Sequence, residues 1–285
     1  MMAGPMPLEQ SQRIVDYDQI ASQYDRRYAL HDYPGIRATI LRAVTGQECP
    51  RVLEVGCGSG RWLRLLASEG CEVAGLDRSG AMLRQAAVEV DGDLRVGLAD
   101  VLPWTGACFD LVLYVNAFHH FEAPQAALRE AFRVLRPGGT ILSVGLDPHE
   151  RRGRWYVYDF FPETLELDLA RFAARARRMA WLESAGFEAV SVRLAERLQS
   201  SRALEDGVRD GLLERSFTSQ LTALTPVEYQ AGLQRIRGAA EKNAAFRLEV
   251  DLTLYATEAH KPDRPGRGAG GATGPAVGFV AAGRP

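Results

Sequence analysis

Short apolar runs alternate with amphipathic stretches along most of this chain. Val52, Leu53, Glu54 and Val55 lead into glycines at alternate positions, Gly56-Cys57-Gly58-Ser59-Gly60, and Arg61 to Ala67 then reads as a helix stopped at Gly70. The unit recurs. Cys71 to Asp77 is a strand closed by an acid, and Ser79 is placed to cap a helix through Met82, Leu83 and Ala86. Leu94 to Ala99 is a weaker strand ending at Asp100, whereas Phe109 to Asn116 is apolar enough to be buried on both faces. Pro124 opens a helix with Leu128, Ala131, Phe132 and Leu135 on one face, followed by a strand from Thr140 to Leu146.

Strands and helices alternating in this way predict an α/β fold, a doubly wound, Rossmann-like and mostly parallel sheet whose ligands lie across the carboxyl ends of the strands. Gly56 to Gly60, Asp77, Asp100 and Asn116 to His120 all fall at such ends. Two further strands, Phe187 to Leu194 and Phe246 to Thr257, bring the count to seven. The strict alternation of the last marks it as antiparallel. Residues 199–245 read as a helical cap, with a capping box at Thr225 to Glu228. Residues 1–12 are expected to be flexible, and 13–258 to form one domain with lid segments at 14–46 and 147–175. The Gly, Pro and Arg-rich residues 259–285 are expected to be a disordered tail. Within the first lid segment, Tyr17, Ile20, Tyr24 and Tyr28 share a helical face, which suits either buried packing or closure over a ligand.

With 285 residues, 46% hydrophobic and 25% charged, the chain has material for one substantial core. Its formal net charge of -2 supplies no bulk attraction for nucleic acid or an anionic membrane. Cys49, Cys57, Cys71 and Cys108 form no CxxC pair and have no His at zinc-finger spacing. Neither a disulfide framework nor a metal site is therefore expected, and a reducing cytoplasm fits best. No uninterrupted apolar run approaches the roughly 18 residues of a membrane span.

A glycine turn before a helix suits a nucleotide-like ligand, and a dinucleotide is the nearest competitor. Its fingerprint is G-x-G-x-x-G, whereas here Arg61 stands where the last glycine or alanine belongs. Asp77 suits a ribose diol in either case, because a carboxylate accepts two hydroxyl hydrogen bonds. Five segments in order decide the resemblance: VLEVGCGSG (52–60), GLDRSGAML (75–83), GLADVLPW (97–104), FDLVLYVNAFHHF (109–121) and LREAFRVLRPGGTIL (128–142). The chain resembles the class I S-adenosylmethionine-dependent methyltransferases with a type 11-like domain, in the small-molecule group that includes the quinone-biosynthesis enzymes.

That resemblance implies that Gly56, Gly58 and Gly60 pass under the methionine part and ribose of S-adenosyl-L-methionine, with Glu54 holding the turn and the amino end. It implies Asp77 on the ribose hydroxyls, Asp100 on the adenine amino group and the Val101 N–H on a ring nitrogen. Asn116 would hold the methionine amino group through its carbonyl, with Met82 and Trp104 as adenine walls. Tyr24, with Tyr28, is placed on the cofactor carboxylate or in the acceptor pocket.

The reaction implied is in-line methyl transfer to O, N or C of a small metabolite. A base is needed only where the acceptor loses a proton. His119 and His120 are the first candidates for that base, beside a reading in which they pack or cap a loop. His31 and His149 follow. Arg151, Arg152 and Arg154 either attract an anionic group or form a solvated face. Expected partners are a small-molecule acceptor and, as an option, a second copy of the chain, with neither nucleic acid nor membrane. A non-catalytic protein that kept the fold for cofactor binding, and a nicotinamide-dependent oxidoreductase, stand as the alternatives.

Overall fold

The computed structural model describes residues 17, 18, 21, 25, 28, 30–150 and 153–263. Helix α1 (Pro34–Val44) begins on a proline and buries Ile36, Thr39, Ile40 and Val44. The alternating half follows as β1 (Arg51–Val55), α2 (Arg61–Ser68), β2 (Glu72–Asp77), α3 (Gly80–Glu89), β3 (Asp93–Val96), β4 (Phe109–Val115), α4 (Pro124–Val134) and β5 (Leu135–Leu146). With β6 (Glu188–Ala203) and β7 (Arg247–His260), the strands form one seven-stranded sheet in the order β3-β2-β1-β4-β5-β7-β6. The first five are mutually parallel, and β7 runs antiparallel to both its neighbours.

The doubly wound sheet is thus the one expected from the pattern. Its strand order reverses between β1 and β4, and the crevice opens there. Alternate residues of the central strands feed two cores. Val52, Leu111 and Leu113 pack with Ile36, Ile40 and Leu63 on one face, while Leu53, Val112 and Tyr114 pack with Leu128 and Ala131 on the other. Ser79 caps α3 by accepting a hydrogen bond from the Met82 N–H, which fixes the start of that helix beside the end of β2.

A third apolar cluster lies above the sheet. Residues 147–170 read from sequence as an elaborated loop, but they contain α5 (Tyr156–Phe160) and most of α6 (Pro162–Arg171), ahead of α7 (Arg175–Ser184). The reason is burial: Tyr156, Val157 and Phe161 pack with Leu212, Leu221 and Ile236 from α8 (Leu204–Arg209), α9 (Ser219–Thr222), α10 (Pro226–Lys242) and their connections. Asp168, fully buried among them, accepts from the Tyr158 hydroxyl at 2.6 Å and Gln220 Nε2 at 2.9 Å, and pairs with Arg171 at 2.5 Å.

Several boundaries also move: β3 ends at Val96, short of the expected Ala99, and β5 begins at Leu135, ahead of Thr140. β6 continues past Leu194 to Ala203, because residues 197–203 pair with β7 beyond the reach of β5, so the helical residues begin at Leu204. β7 reaches His260, and Lys261 donates to the carbonyls of Phe132 and Leu135, each at 2.7 Å, which ties down the first residues of the expected tail. Residues 264–285 lie outside the described residues.

Candidate functional site

The glycine turn is built around left-handed backbone. Gly56, Gly58 and Gly60 have φ of 75°, 55° and 80°, values that cost little only without a Cβ. A Cβ on Gly56 would also stand 2.5 Å from the Ala117 Cβ, so bare backbone is required where β1 and β4 end side by side. Asn116, the residue after β4, is itself left-handed with φ 51° and is anchored through its N–H to the Val144 carbonyl at 2.8 Å.

Asp77 closes β2 and locks the turn. One carboxylate oxygen accepts from the Gly58 N–H at 2.8 Å and the other from the Ser79 N–H at 2.9 Å. Burial pushes its carboxyl above the usual range, and those two backbone donors oppose that push. Each oxygen keeps a further lone pair for a ligand hydroxyl. Glu54 lies beneath the turn, 1% exposed, its pKa pushed well up by burial first and by Asp77 next; its Oε2 has no partner.

A cavity of about 890 Å³ lies over this turn, lined among others by Gly56, Gly58, Asp77, Met82, Asp100, Asn116 and His120. Among the described residues, Asp77, Asp100 and Glu122 line it against one cation, Arg78, a balance suited to a positively charged ligand. A second cavity of about 1360 Å³ adjoins it, and Tyr17, Asn116 and His120 line both. The Tyr17 hydroxyl and His120 Nε2 share a hydrogen bond of 2.7 Å at that junction.

The remaining expected residues divide by position. Glu54, Gly60 and Val101 stand outside the first cavity's lining; Gly60 caps α2, and Val101 is 70% exposed. Trp104 packs on Phe109 and donates from Nε1 to Asp93 at 2.7 Å, away from the cavity. His119 lines the second cavity, its ring 4.0 Å from Phe172 and 3.9 Å from His120 between centroids. Burial, followed by the neighbouring His120, holds its pKa well below the usual imidazole value. His31 also lines the second cavity, while His149 bonds the Phe172 carbonyl at 2.7 Å. Arg154 lies 3.7 Å from Asp159. Tyr24, Arg151 and Arg152 lie outside the described residues.

Site residues not singled out from sequence are Leu98, Phe121 and Glu122. Phe121 and Glu122 directly follow the His pair, a proximity that could have marked them. Asp18 accepts from Ser79 Oγ at 2.5 Å and the Ala81 N–H at 3.1 Å, and Asp25 accepts from Ser59 Oγ at 2.7 Å. These bonds tie Asp18 and Asp25 to the two sides of the crevice.

A switch-point crevice floored by a side-chain-free turn, with a ribose-type acid at the end of β2, defines a nucleoside-cofactor enzyme of the α/β class. The methyltransferase domain model matches residues 53–143. The malonyl-[acyl-carrier protein] O-methyltransferase of Salmonella typhimurium is 31% identical over 224 residues, 74% of this chain and 87% of that protein. The demethylmenaquinone methyltransferase of Clavibacter sepedonicus is 27% identical over 68% of this chain and 89% of its own. Among solved structures, the phosphoethanolamine N-methyltransferase 2 of Haemonchus contortus in complex with S-adenosyl-L-methionine shares the fold with a TM-score of 0.55, at 20% identity over 86% of this chain and 57% of that one. The chain belongs to the class I S-adenosylmethionine-dependent methyltransferases, and its cofactor is S-adenosyl-L-methionine. The nicotinamide alternative is set aside with it.

Proposed function

We propose that this enzyme methylates a small-molecule acceptor held in the second cavity, with S-adenosyl-L-methionine in the first. The observation that carries the reading is the meeting of the two cavities at Tyr17, Asn116 and His120. The residues fit the cofactor: the turn has no room for a Cβ at Gly56, and Asp77 offers its spare lone pairs toward the ribose hydroxyls. Gly56 and Gly58 underlie the cofactor, Asp100 faces its adenine amino group and the Asn116 carbonyl its amino group. Glu54 and Gly60 support the turn from below; the Val101 N–H, expected on an adenine nitrogen, instead donates to the Leu98 carbonyl at 3.2 Å.

The cofactor, when bound, supplies a methyl group on a sulfonium with a good leaving group. The protein's part is to align the acceptor and keep water away, which by proximity alone is worth roughly 7 kcal/mol or more. Where the acceptor loses a proton, the Tyr17–His120 pair receives it. His119 stays neutral, since two imidazoles this close do not both carry charge. Labelled cofactor incubated with cell extract and the enzyme, followed by mass spectrometry of the product, tests the reading; transfer to macromolecules alone, with no labelled small molecule, overturns it.

A further inference from the structure

Four rings follow one another at the cavity junction. The turn Phe118–His120 presents two neighbouring imidazoles whose centroids are 3.9 Å apart. His119 is stacked in turn on Phe172, 4.0 Å away and within 13° of parallel. His120 also meets the Tyr17 ring edge to face at 5.3 Å, with the 2.7 Å hydrogen bond between them.

Phe172, at one end of this row, is fixed from three elements. It is the first residue beyond α6, and its N–H donates to the Asp168 carbonyl at 2.8 Å. Its carbonyl lies 2.7 Å from His149 Nε2, and that nitrogen carries a proton because a carbonyl only accepts. The His149 N–H donates to one oxygen of the buried Asp147 at 3.1 Å, and the other oxygen pairs with Arg178 of α7 at 2.9 Å. His149, a candidate base in the sequence, therefore commits its Nε2 proton to the peptide of Phe172.

A third cavity, of about 1280 Å³, is lined by Tyr17, His119, His120 and Phe172, the same four residues that line the second. These rings form the partition between the two. Arg78, Glu122, Arg171 and Arg177 also line the third cavity, so without the Phe172 ring a face of His119 would open toward charged and hydrated groups. Arg171 and Arg178, besides His120, already act against charge on His119. His120 shares its cavity linings with Asp77, Asp100, Glu122, Arg78 and Arg177. Two adjacent imidazoles in such surroundings compete for a proton, and a ring packed face to face on one of them fixes its rotamer and keeps that face dry.

We propose, on the reading that the Tyr17–His120 pair takes the acceptor proton, that Phe172 is a positioning residue of the methyl transfer. Stacked on His119, it holds the adjoining His120 ring against Tyr17 at the cavity junction. Asp147, Arg178 and His149 hold Phe172 in place for that task.

The test follows the five histidines by NMR of imidazole-labelled protein saturated with S-adenosylhomocysteine, the signals assigned by single substitution. Wild-type enzyme is expected to show a nuclear Overhauser contact between the Tyr17 and His120 rings, a His119 signal moved upfield by the Phe172 ring, and no titration of His119 between pH 5 and pH 8. In F172A that contact is lost and His119 enters the titration, so the two imidazoles lose protons in coupled steps and the His120 midpoint moves by about one pH unit. F172Y keeps a ring in place and restores the wild-type spectra. F172L fills the site without a ring and shows the F172A changes; it carries the test where F172A does not bind S-adenosylhomocysteine. Transfer of label from S-adenosyl-L-methionine into cell extract falls about tenfold or more in F172A and F172L, as misplacement of a reacting group does, and recovers in F172Y. Absence of the Tyr17–His120 contact in wild type, wild-type spectra from the ring-free variants, or F172Y behaving as F172A overturns the proposal. An unchanged transfer rate in H120Q, with the Phe172 spectra as expected, instead counts against proton transfer by the Tyr17–His120 pair.

Discussion

The Tyr17 hydroxyl lies 2.7 Å from His120 Nε2, the two rings meeting edge to face at 81°. Tyr17 thereby meets the loop after β4 at the place where the two cavities join. If this pair takes the acceptor proton, His120→Gln lowers kcat by about 10²–10⁴. Affinity for S-adenosylhomocysteine changes little. Steady-state kinetics with an identified acceptor checks this, and an unchanged kcat would remove His120 from proton transfer.

Asp77 carries a second prediction. Removing its carboxylate deletes the proposed ribose acceptor and leaves the Gly58 and Ser79 N–H groups without theirs. Hydrogen bonds to a charged group contribute roughly 1.5–3 kcal/mol each, so Asp77→Ala is expected to weaken S-adenosylhomocysteine binding by about 100-fold or more. Titration calorimetry reads the change. Binding equal to wild type would mean that this acid does not face the cofactor.

Gly56→Ala introduces a Cβ into a contact with the Ala117 Cβ and strains a left-handed residue. The expected cost is about 1–3 kcal/mol from crowding, with more from the backbone. Denaturant titration should show Ala117→Gly restoring the crowding part and not the conformational part.

Glu54 predicts a pH dependence. Its pKa in the folded protein lies above the unfolded value, so the stability it contributes is complete below the unfolded pKa, roughly 4.3, and is lost as pH rises through the folded pKa. Glu54→Gln keeps a neutral group of similar shape. Thermal unfolding without cofactor should therefore lose less stability between pH 5 and pH 8 in the variant than in the wild type; parallel curves would contradict a buried, reluctantly ionised Glu54.

Asp168 anchors the cap. Asp168→Ala strips Arg171 of its buried partner and removes the acceptor of the Tyr158 hydroxyl and Gln220, so a loss of about 3–5 kcal/mol is expected in denaturant unfolding. A loss below about 1 kcal/mol would show that water replaces the carboxylate.

The sheet and the turn were legible because their signals are local. Glycines at alternate positions, an acid closing β2 and apolar runs of strand length leave few other folds. Asp77, Asp100 and Asn116 were readable as residues at strand ends for the same reason. The outer half of β6 was not, since Gln199, Ser200, Ser201 and Arg202 carry no apolar alternation; that stretch is a strand because β7 supplies its ladder partners. Helices α5 and α6 were hidden likewise, their apolar residues gathered against α10 and the 211–224 segment, far along the chain. The bond between Tyr17 and His120 joins residues 103 positions apart, a distance no spacing rule spans.

β7 belongs to two structures at once. From Leu254 to His260 its ladder to β5 is part of the scaffold that every step of donor chemistry relies on, whereas from Arg247 to Thr253 its ladder is to β6, with a single bridge to Arg154 and Trp155 on the other edge. Sequence drift in the outer stretch can reshape the wall of the second cavity and leave the floor of the crevice in register. A lineage carrying this fold could thus change what it modifies through a handful of ribbon substitutions, and a directed-evolution library would do well to begin at those positions.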